Sequence, residues 1–197
     1  MSNESIKNTI SLMIITLVAG LLLGVVYEIT KEPIAAEQQR AKEEAYKTVF
    51  ADADSFESIT LDEAKVEKNL SDNGYNVTVN EAMKVFDKSG SVKGYVLTVT
   101  NHEGYGGDIQ FAMGVQIDGT VNGISFLSIA ETAGLGMKAT EADFIKQFAD
   151  KKVESFRYTK NGASVDDEVD AISGATITTN AVVNGVNAGL YYISTLE

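Results

Sequence analysis

Hydrophobic positions follow three different patterns along this chain. From residue 8 to residue 27 no side chain is charged, and the run from Ile10 to Val26 reads ISLMIITLVAGLLLGVV. A helix of that composition is apolar on every face, whereas a core helix of a globular protein normally keeps one polar side for water. Twenty helical residues rise ~30 Å, the thickness of a bilayer's hydrocarbon core. The pattern predicts a transmembrane helix. A cleaved signal peptide competes with this reading, but its apolar stretch runs about 7–15 residues and ends in small side chains. This segment is longer and leaves through Val25-Val26-Tyr27-Glu28, so an uncleaved single-pass anchor is expected.

The next pattern is a narrow apolar stripe. Over residues 30–50, Ile34, Ala41, Ala45 and Val49 recur among Glu, Lys and Gln, and Pro33 suits the first turn of a helix. A loop is expected over 51–58 and a short helix over 61–70. From Tyr75 the period becomes two: strands are predicted over 75–79, 83–87, 92–100, 109–117 and 121–129. Turns such as Lys88-Ser89-Gly90 and Asp118-Gly119-Thr120 separate them, which gives an antiparallel meander. A short helix over 142–149, a strand over 153–158 and a final helix over 176–194 complete the chain. That last helix is rich in Thr, Asn, Val and Gly, poor helix formers, so packing must hold it. Ala181, Gly185, Ala188 and Gly189 would let it lie close against a sheet. The expected fold class is α+β: one N-terminal transmembrane helix, then an antiparallel-sheet domain with flanking helices. The expected boundaries are 1–29 for a stub and the membrane helix, 30–72 for a helical connector, and 73–197 for the sheet domain.

Composition narrows the chemistry. The 197 residues include 16 Lys+Arg against 28 Asp+Glu, one His and no Cys. A net charge of −12 argues against a nucleic-acid partner, which needs a basic footprint. Without cysteine there are no disulfides, iron–sulfur ligands, thiolate zinc sites or thiol nucleophiles. Glu4, Lys7 and Glu28 are the charges of the first 29 residues, which leaves 15 basic and 26 acidic side chains, a balance of −11, to residues 30–197. The flanking charges, Lys7 on one side and Glu28, Lys31 and Glu32 on the other, favour a cytoplasmic N-terminus and a domain on the outer side.

Three glycine-bearing motifs remain. Gly104-Tyr105-Gly106-Gly107-Asp108-Ile109 precedes the fourth strand, where so many glycines indicate a sharp bend or the close approach of something to the backbone. Glu131-Thr132-Ala133-Gly134-Leu135-Gly136-Met137-Lys138 ends the fifth, and such a loop can lay its backbone and one aliphatic side chain against a flat ring. It is not a phosphate loop, since neither G-x-x-x-x-G-K-[ST] nor G-x-G-x-x-G is present. Asp170-Ala171-Ile172-Ser173-Gly174-Ala175-Thr176 leads into the last helix. Read alone, the first two are turns and Ser173 or Thr176 is a helix N-cap. The same helix N-terminus can also seat a phosphate, and a threonine hydroxyl there can carry a phosphate ester. His102 reads as a turn or surface residue. The acidic run Asp166, Asp167, Glu168 and Asp170 reads as a solvated loop, with a transient cation during cofactor attachment as the other reading.

Taken in order, these features resemble the RnfG family, the G subunits of Rnf ion-translocating oxidoreductases. That family is similar in turn to the C subunit of the sodium-pumping NADH:quinone reductase. The resemblance covers the whole chain, from anchor and Gln- and Ala-rich helix through GYGGDI and ETAGLGMK to DAISGAT. It implies that residues 73–197 form an FMN-binding domain in which Thr176 is joined to the flavin phosphate by a phosphoester bond. Asp170, Ser173, Gly174 and Ala175 would be read by the flavin transferase that installs FMN from FAD. Tyr105, Glu131, Thr132, Gly134, Leu135 and Gly136 would bind the flavin. The family loop often reads E-T-P-G-L-G, and Ala133 stands at the proline position here.

The resemblance further implies an electron-relay protein that catalyses no complete reaction alone. Its partners would be the other membrane and iron–sulfur subunits of the complex, the flavin transferase during maturation, and membrane lipid. The expected location is the cell membrane, single-pass, with the flavin domain on the periplasmic or extracellular side. No metal site and no nucleic-acid partner are expected, and no dinucleotide fingerprint for NADH is visible. One helix without intramembrane charge offers an ion no pathway. The competing readings are the quinone reductase's equivalent subunit and, from another class, an anchored sensor or adhesion domain whose threonine only caps a helix.

Overall fold

A computed structural model describes residues 3–196. Helix α1 (Asn3–Val49) is continuous. The residues up to Ala41 form one compact unit, and those from Lys42 onward form another. In the first unit, α1 is long and apolar enough to cross a membrane, and none of its most apolar stretch is buried in protein. The expectation of a separate helix over 30–50, with Pro33 in its first turn, is corrected: α1 runs without a break from the apolar stretch, and Pro33 lies inside it. Proline removes one amide donor from the helical ladder, yet the turns on either side continue through it.

The second unit begins with the end of α1 and proceeds through β1 (Ser55–Ser58), α2 (Glu63–Asp72), β2 (Val77–Phe86), β3 (Val92–Asn101), β4 (Ile109–Gln116) and β5 (Thr120–Ser128). It continues with α3 (Ala142–Ile145), β6 (Lys151–Lys152), β7 (Arg157–Thr159), β8 (Glu168–Asp170) and α4 (Thr176–Ser194). Strands β1 to β6 form one sheet in sequence order, antiparallel throughout, and β7 and β8 form a short parallel pair. The meander therefore stands, with three differences. The two strands expected over 75–87 are one, because a register shift between Val79 and Glu81 absorbs the polar break at Asn80. The loop expected over 51–58 contains β1, an edge strand. Of the strand expected over 153–158 only the last two residues are extended, as the start of β7; residues 153–156 form no strand, and β6 lies just before them.

Both faces of the sheet are covered. Leu97 and Val99 on β3 and Phe111 and Met113 on β4 point to the face under α4, and all four are fully buried. On the other face Ala45, Tyr46 and Val49 of α1, with Phe50, pack on Val85, Val96 and Ala112. Gly114 of β4 admits this contact, since a Cβ there would lie 2.5 Å from the Val49 carbonyl oxygen. Tyr46 bonds Thr98 Oγ1 at 2.7 Å and donates to Glu81 Oε2 at 2.9 Å, and Lys42 pairs with Glu81 at 2.6 Å. Burial pushes the Tyr46 hydroxyl well above its ordinary range.

Packing holds α4. A Cβ at Gly185 would sit 2.8 Å from Phe111 Cζ, and one at Gly189 would sit 2.2 Å from Met113 Sδ. The glycines thus bring the helix axis down onto β4. Its Thr, Asn, Val and Gly content costs on the order of 10 kcal/mol relative to alanine. Burial of Val182, Val183, Val186, Tyr192 and Ile193 returns a similar amount at about 1.5–3 kcal/mol each.

Candidate functional site

The loop before α4 is fixed from within the helix. Thr179 Oγ1, fully buried, accepts the Ile172 amide at 3.0 Å and donates to the Ala175 carbonyl at 3.0 Å. Gly174 takes φ +77°, a left-handed turn that suits glycine. The N-cap position is Ala175, and no side chain caps the helix. This corrects the reading of Ser173 or Thr176 as a cap. Thr176 is the first helical residue, and the first-turn amides face outward without a side-chain acceptor.

The second loop, after β5, turns back sharply. Leu135 and Met137 both donate their amides to the Thr132 carbonyl, at 3.1 and 3.2 Å, and Gly134 takes φ +75°. Leu135 reaches across to the third motif, so that a Cβ on Gly174 would touch its Cδ2 at 3.2 Å. Gly136 has no room for a side chain, since a Cβ would lie 2.6 Å from both Glu131 Oε2 and Thr178 Oγ1. The first loop docks on the second. A Cβ at Gly106 would be 2.1 Å from the Ala130 carbonyl oxygen, and the Gly106 amide donates to Glu131 Oε1 at 3.3 Å.

The three motifs, far apart in sequence, thereby surround one cavity of about 550 Å³. Tyr105, Glu131, Thr132, Leu135, Gly136, Gly174, Ala175 and Thr176 line it, together with Ile177 and Thr178. Gly134 shapes the loop without lining the cavity. Ser173 is exposed beside it. Asp170 lies elsewhere: its carboxylate accepts the Ala163 amide at 2.6 Å and its own amide donates to Gln147 Oε1 at 2.6 Å, which braces β8. Ile177 and Thr178 are wall residues that the motifs did not single out. Their place in the first turn of the helix that the third motif opens was the available signal.

His102 is not on this wall. It bonds Thr78 Oγ1 at 2.9 Å and Asp108 Oδ1 at 3.0 Å beside a separate cleft next to Tyr75 and Asn76. The acidic run is drawn apart by cations: Asp166 pairs with Lys151, and Arg157 pairs with Asp167 and Glu168, each at 3.2 Å. Bonds from the Ser164 amide and hydroxyl hold the Glu168 carboxyl below its ordinary range. No group among the described residues gathers enough ligands for a metal ion.

The cavity suits a flavin phosphate ligand. Two glycine positions leave flat backbone surface, Leu135, Ile177 and Tyr105 offer apolar contact, and helix-end amides without a side-chain cap are placed to receive an anion next to a hydroxyl. Residues 104–191 match the family model of the FMN-binding domain, and residues 1–49 match that of the RnfG N-terminal region. The chain is 35% identical to the G subunit of the ion-translocating oxidoreductase complex of Methanosarcina acetivorans, over all of this chain and 98% of that relative. It is 30% identical to the G subunit of the Na(+)-translocating ferredoxin:NAD(+) oxidoreductase complex of Acetobacterium woodii, over 94% of this chain and 90% of that one. The crystal structure of the C subunit of Na(+)-translocating NADH-quinone reductase from Parabacteroides distasonis shares the fold. Its TM-score is 0.55 at 19% identity, covering 81% of this chain and 96% of that one. The chain belongs to the RnfG family, the G subunits of Rnf ion-translocating oxidoreductase complexes.

Proposed function

We propose that this chain is the membrane-anchored flavoprotein subunit of an Rnf-type complex, with FMN attached covalently to Thr176. When bound, FMN would supply one- and two-electron redox chemistry, which a chain without cysteine does not supply through thiolate ligands. Within the complex, that relay would couple ferredoxin and NAD chemistry to ion translocation through other, multi-spanning subunits. Residues 1–29 would anchor the chain with its N-terminus in the cytoplasm, 30–72 would connect, and 73–197 would hold the flavin on the periplasmic or extracellular side.

The observation that carries this reading is the meeting of three glycine motifs around one cavity with Thr176 in its wall. In the attachment step the Thr176 oxygen would form a bond to the FMN phosphorus of FAD as the pyrophosphate bond breaks. AMP leaves and the hydroxyl proton is lost. The flavin transferase would supply the activation, reading Asp170, Ser173, Gly174 and Ala175. The first-turn amides of α4 would then hold the remaining phosphate charge at the positive end of the helix dipole. Leu135, Gly136 and Tyr105 would face the ring and exclude water from it.

Co-expression with a flavin transferase tests the reading. The wild-type protein is expected to give a yellow band that fluoresces on a denaturing gel, and Thr176→Val should reduce that signal to background. A colourless wild type in the presence of active transferase would contradict it.

A further inference from the structure

Glu131 is buried, with 9% of its surface exposed, and it is the only carboxylate among the described residues that line the cavity. Those residues include no Lys, Arg or His. Removing a carboxylate from water is costly unless a cation or several hydrogen bonds compensate it. None of the ion pairs among the described residues includes Glu131. The Gly106 amide reaches its Oε1 at 3.3 Å, long for a bond to a charged acceptor. Oε2 points towards Gly136 and the buried Thr178 hydroxyl. A glutamine would accept the same Gly106 bond without placing a charge in the wall, so tying the first loop to the second does not explain the carboxylate.

We infer that Glu131 tunes the site: its fixed negative charge lowers the midpoint potential of the bound flavin. This inference rests on the flavin reading above. Reduction brings electrons into the ring, and a charge held in a wall of low dielectric opposes the added electron density. The oxidised ring meets no such opposition. The carboxylate therefore makes the flavin a stronger reductant towards its acceptor.

The test uses the full chain, flavinylated by co-expression with the transferase, as wild type, Glu131→Gln and Glu131→Asp. Each is titrated with dithionite against dyes of known potential; dithionite supplies the electrons and is oxidised to sulfite. Glu131→Gln should favour reduction by at least about tenfold, an upward shift of ~30 mV for a two-electron couple. Glu131→Asp keeps the charge and should stay near the wild type. A packing role predicts the reverse, with the isosteric glutamine unchanged and the shorter aspartate displaced. That result, or two unchanged variants, overturns the inference and leaves the flavin reading intact. A glutamine variant that takes up no flavin while the aspartate variant does so also overturns it, because the charge would then serve attachment. A wild type without covalent flavin means the flavin reading itself has failed, and the inference with it.

Discussion

The apolar stretch of α1 and the whole of α4 are both helices, and they are built in opposite ways. Between residues 8 and 27, α1 is made mostly of Leu, Ile, Val, Met and Ala, and side chains on every face are exposed, Leu23 at 71% and Met13 at 68% among them. No other described part of this chain packs on that stretch, so length and polarity are what suit it to lipid. Helix α4 is the reverse: eleven of its nineteen residues are buried, and its weak formers are held by Phe111, Met113 and Leu97 beneath them. A helix seated on a sheet in this way fixes the direction of its N-terminus, and that end is where Thr176 meets the cavity. The anchor specifies a place, and the packed helix specifies a geometry.

Removing the support beneath α4 should have the largest effect. Phe111→Ala empties a fully buried site and should cost about 3–5 kcal/mol, read as a lower thermal midpoint of the domain and a loss of flavin uptake. Leu17→Ala in the anchor should leave both unchanged. If the two variants lowered the midpoint equally, the contrast between the helices would be wrong.

A charge in the anchor should separate the two regions in the other direction. Leu22→Arg adds about 3 kcal/mol to membrane insertion, so more of the chain should appear in the soluble fraction. The melting of residues 42–197 should stay as it was.

The next effect isolates the join between α4 and its loop. Thr179→Val removes both bonds of a buried hydroxyl and leaves the Ile172 amide without its acceptor, at about 1–3 kcal/mol. Flavin incorporation should fall more than overall helicity does, since the loop that presents Thr176 is what loosens. Equal losses by circular dichroism and by flavin absorbance would remove the special role of Thr179.

The smallest effect lies at the turn between β4 and β5. The Thr120 amide, bonded at 3.0 Å, is the main cause that holds the Asp118 carboxyl below its ordinary range. A depressed carboxyl stabilises above its unfolded value of about 3.9 and ceases to do so as pH falls through the folded value. Asp118→Ala should therefore lower the urea midpoint slightly near neutral pH, with the difference closing in acid. A difference that is constant with pH would contradict this.

Much of the molecule was legible because its signals are local. The anchor, the meander and the span of α4 follow from periodicity and composition. Strand β1 was not legible, because its residues Ser55 to Ser58 join β2 through backbone pairing while three of the four stay exposed. The merging of two strands at Asn80 depends on a bulge whose side chain accepts Thr100 Oγ1 at 2.6 Å across the sheet. At the site, the motifs announced which loops matter. They did not announce that Asp170 turns away to brace Ala163, or that Thr178 comes to the wall, because Gln147 holds the Asp170 amide and Gly136 packs beside Thr178, contacts between segments distant in sequence.

The central claim is that one hydroxyl at the start of α4 carries the cofactor. Proteolysis of the flavinylated protein, followed by tandem mass spectrometry of the peptide containing residues 170–180, tests it most directly. The account predicts a single FMN phosphoester assigned to Thr176, with Ser173, Thr178 and Thr179 unmodified. An FMN adduct on any of those three, or an unmodified peptide from a protein that is still yellow after denaturation, would contradict it.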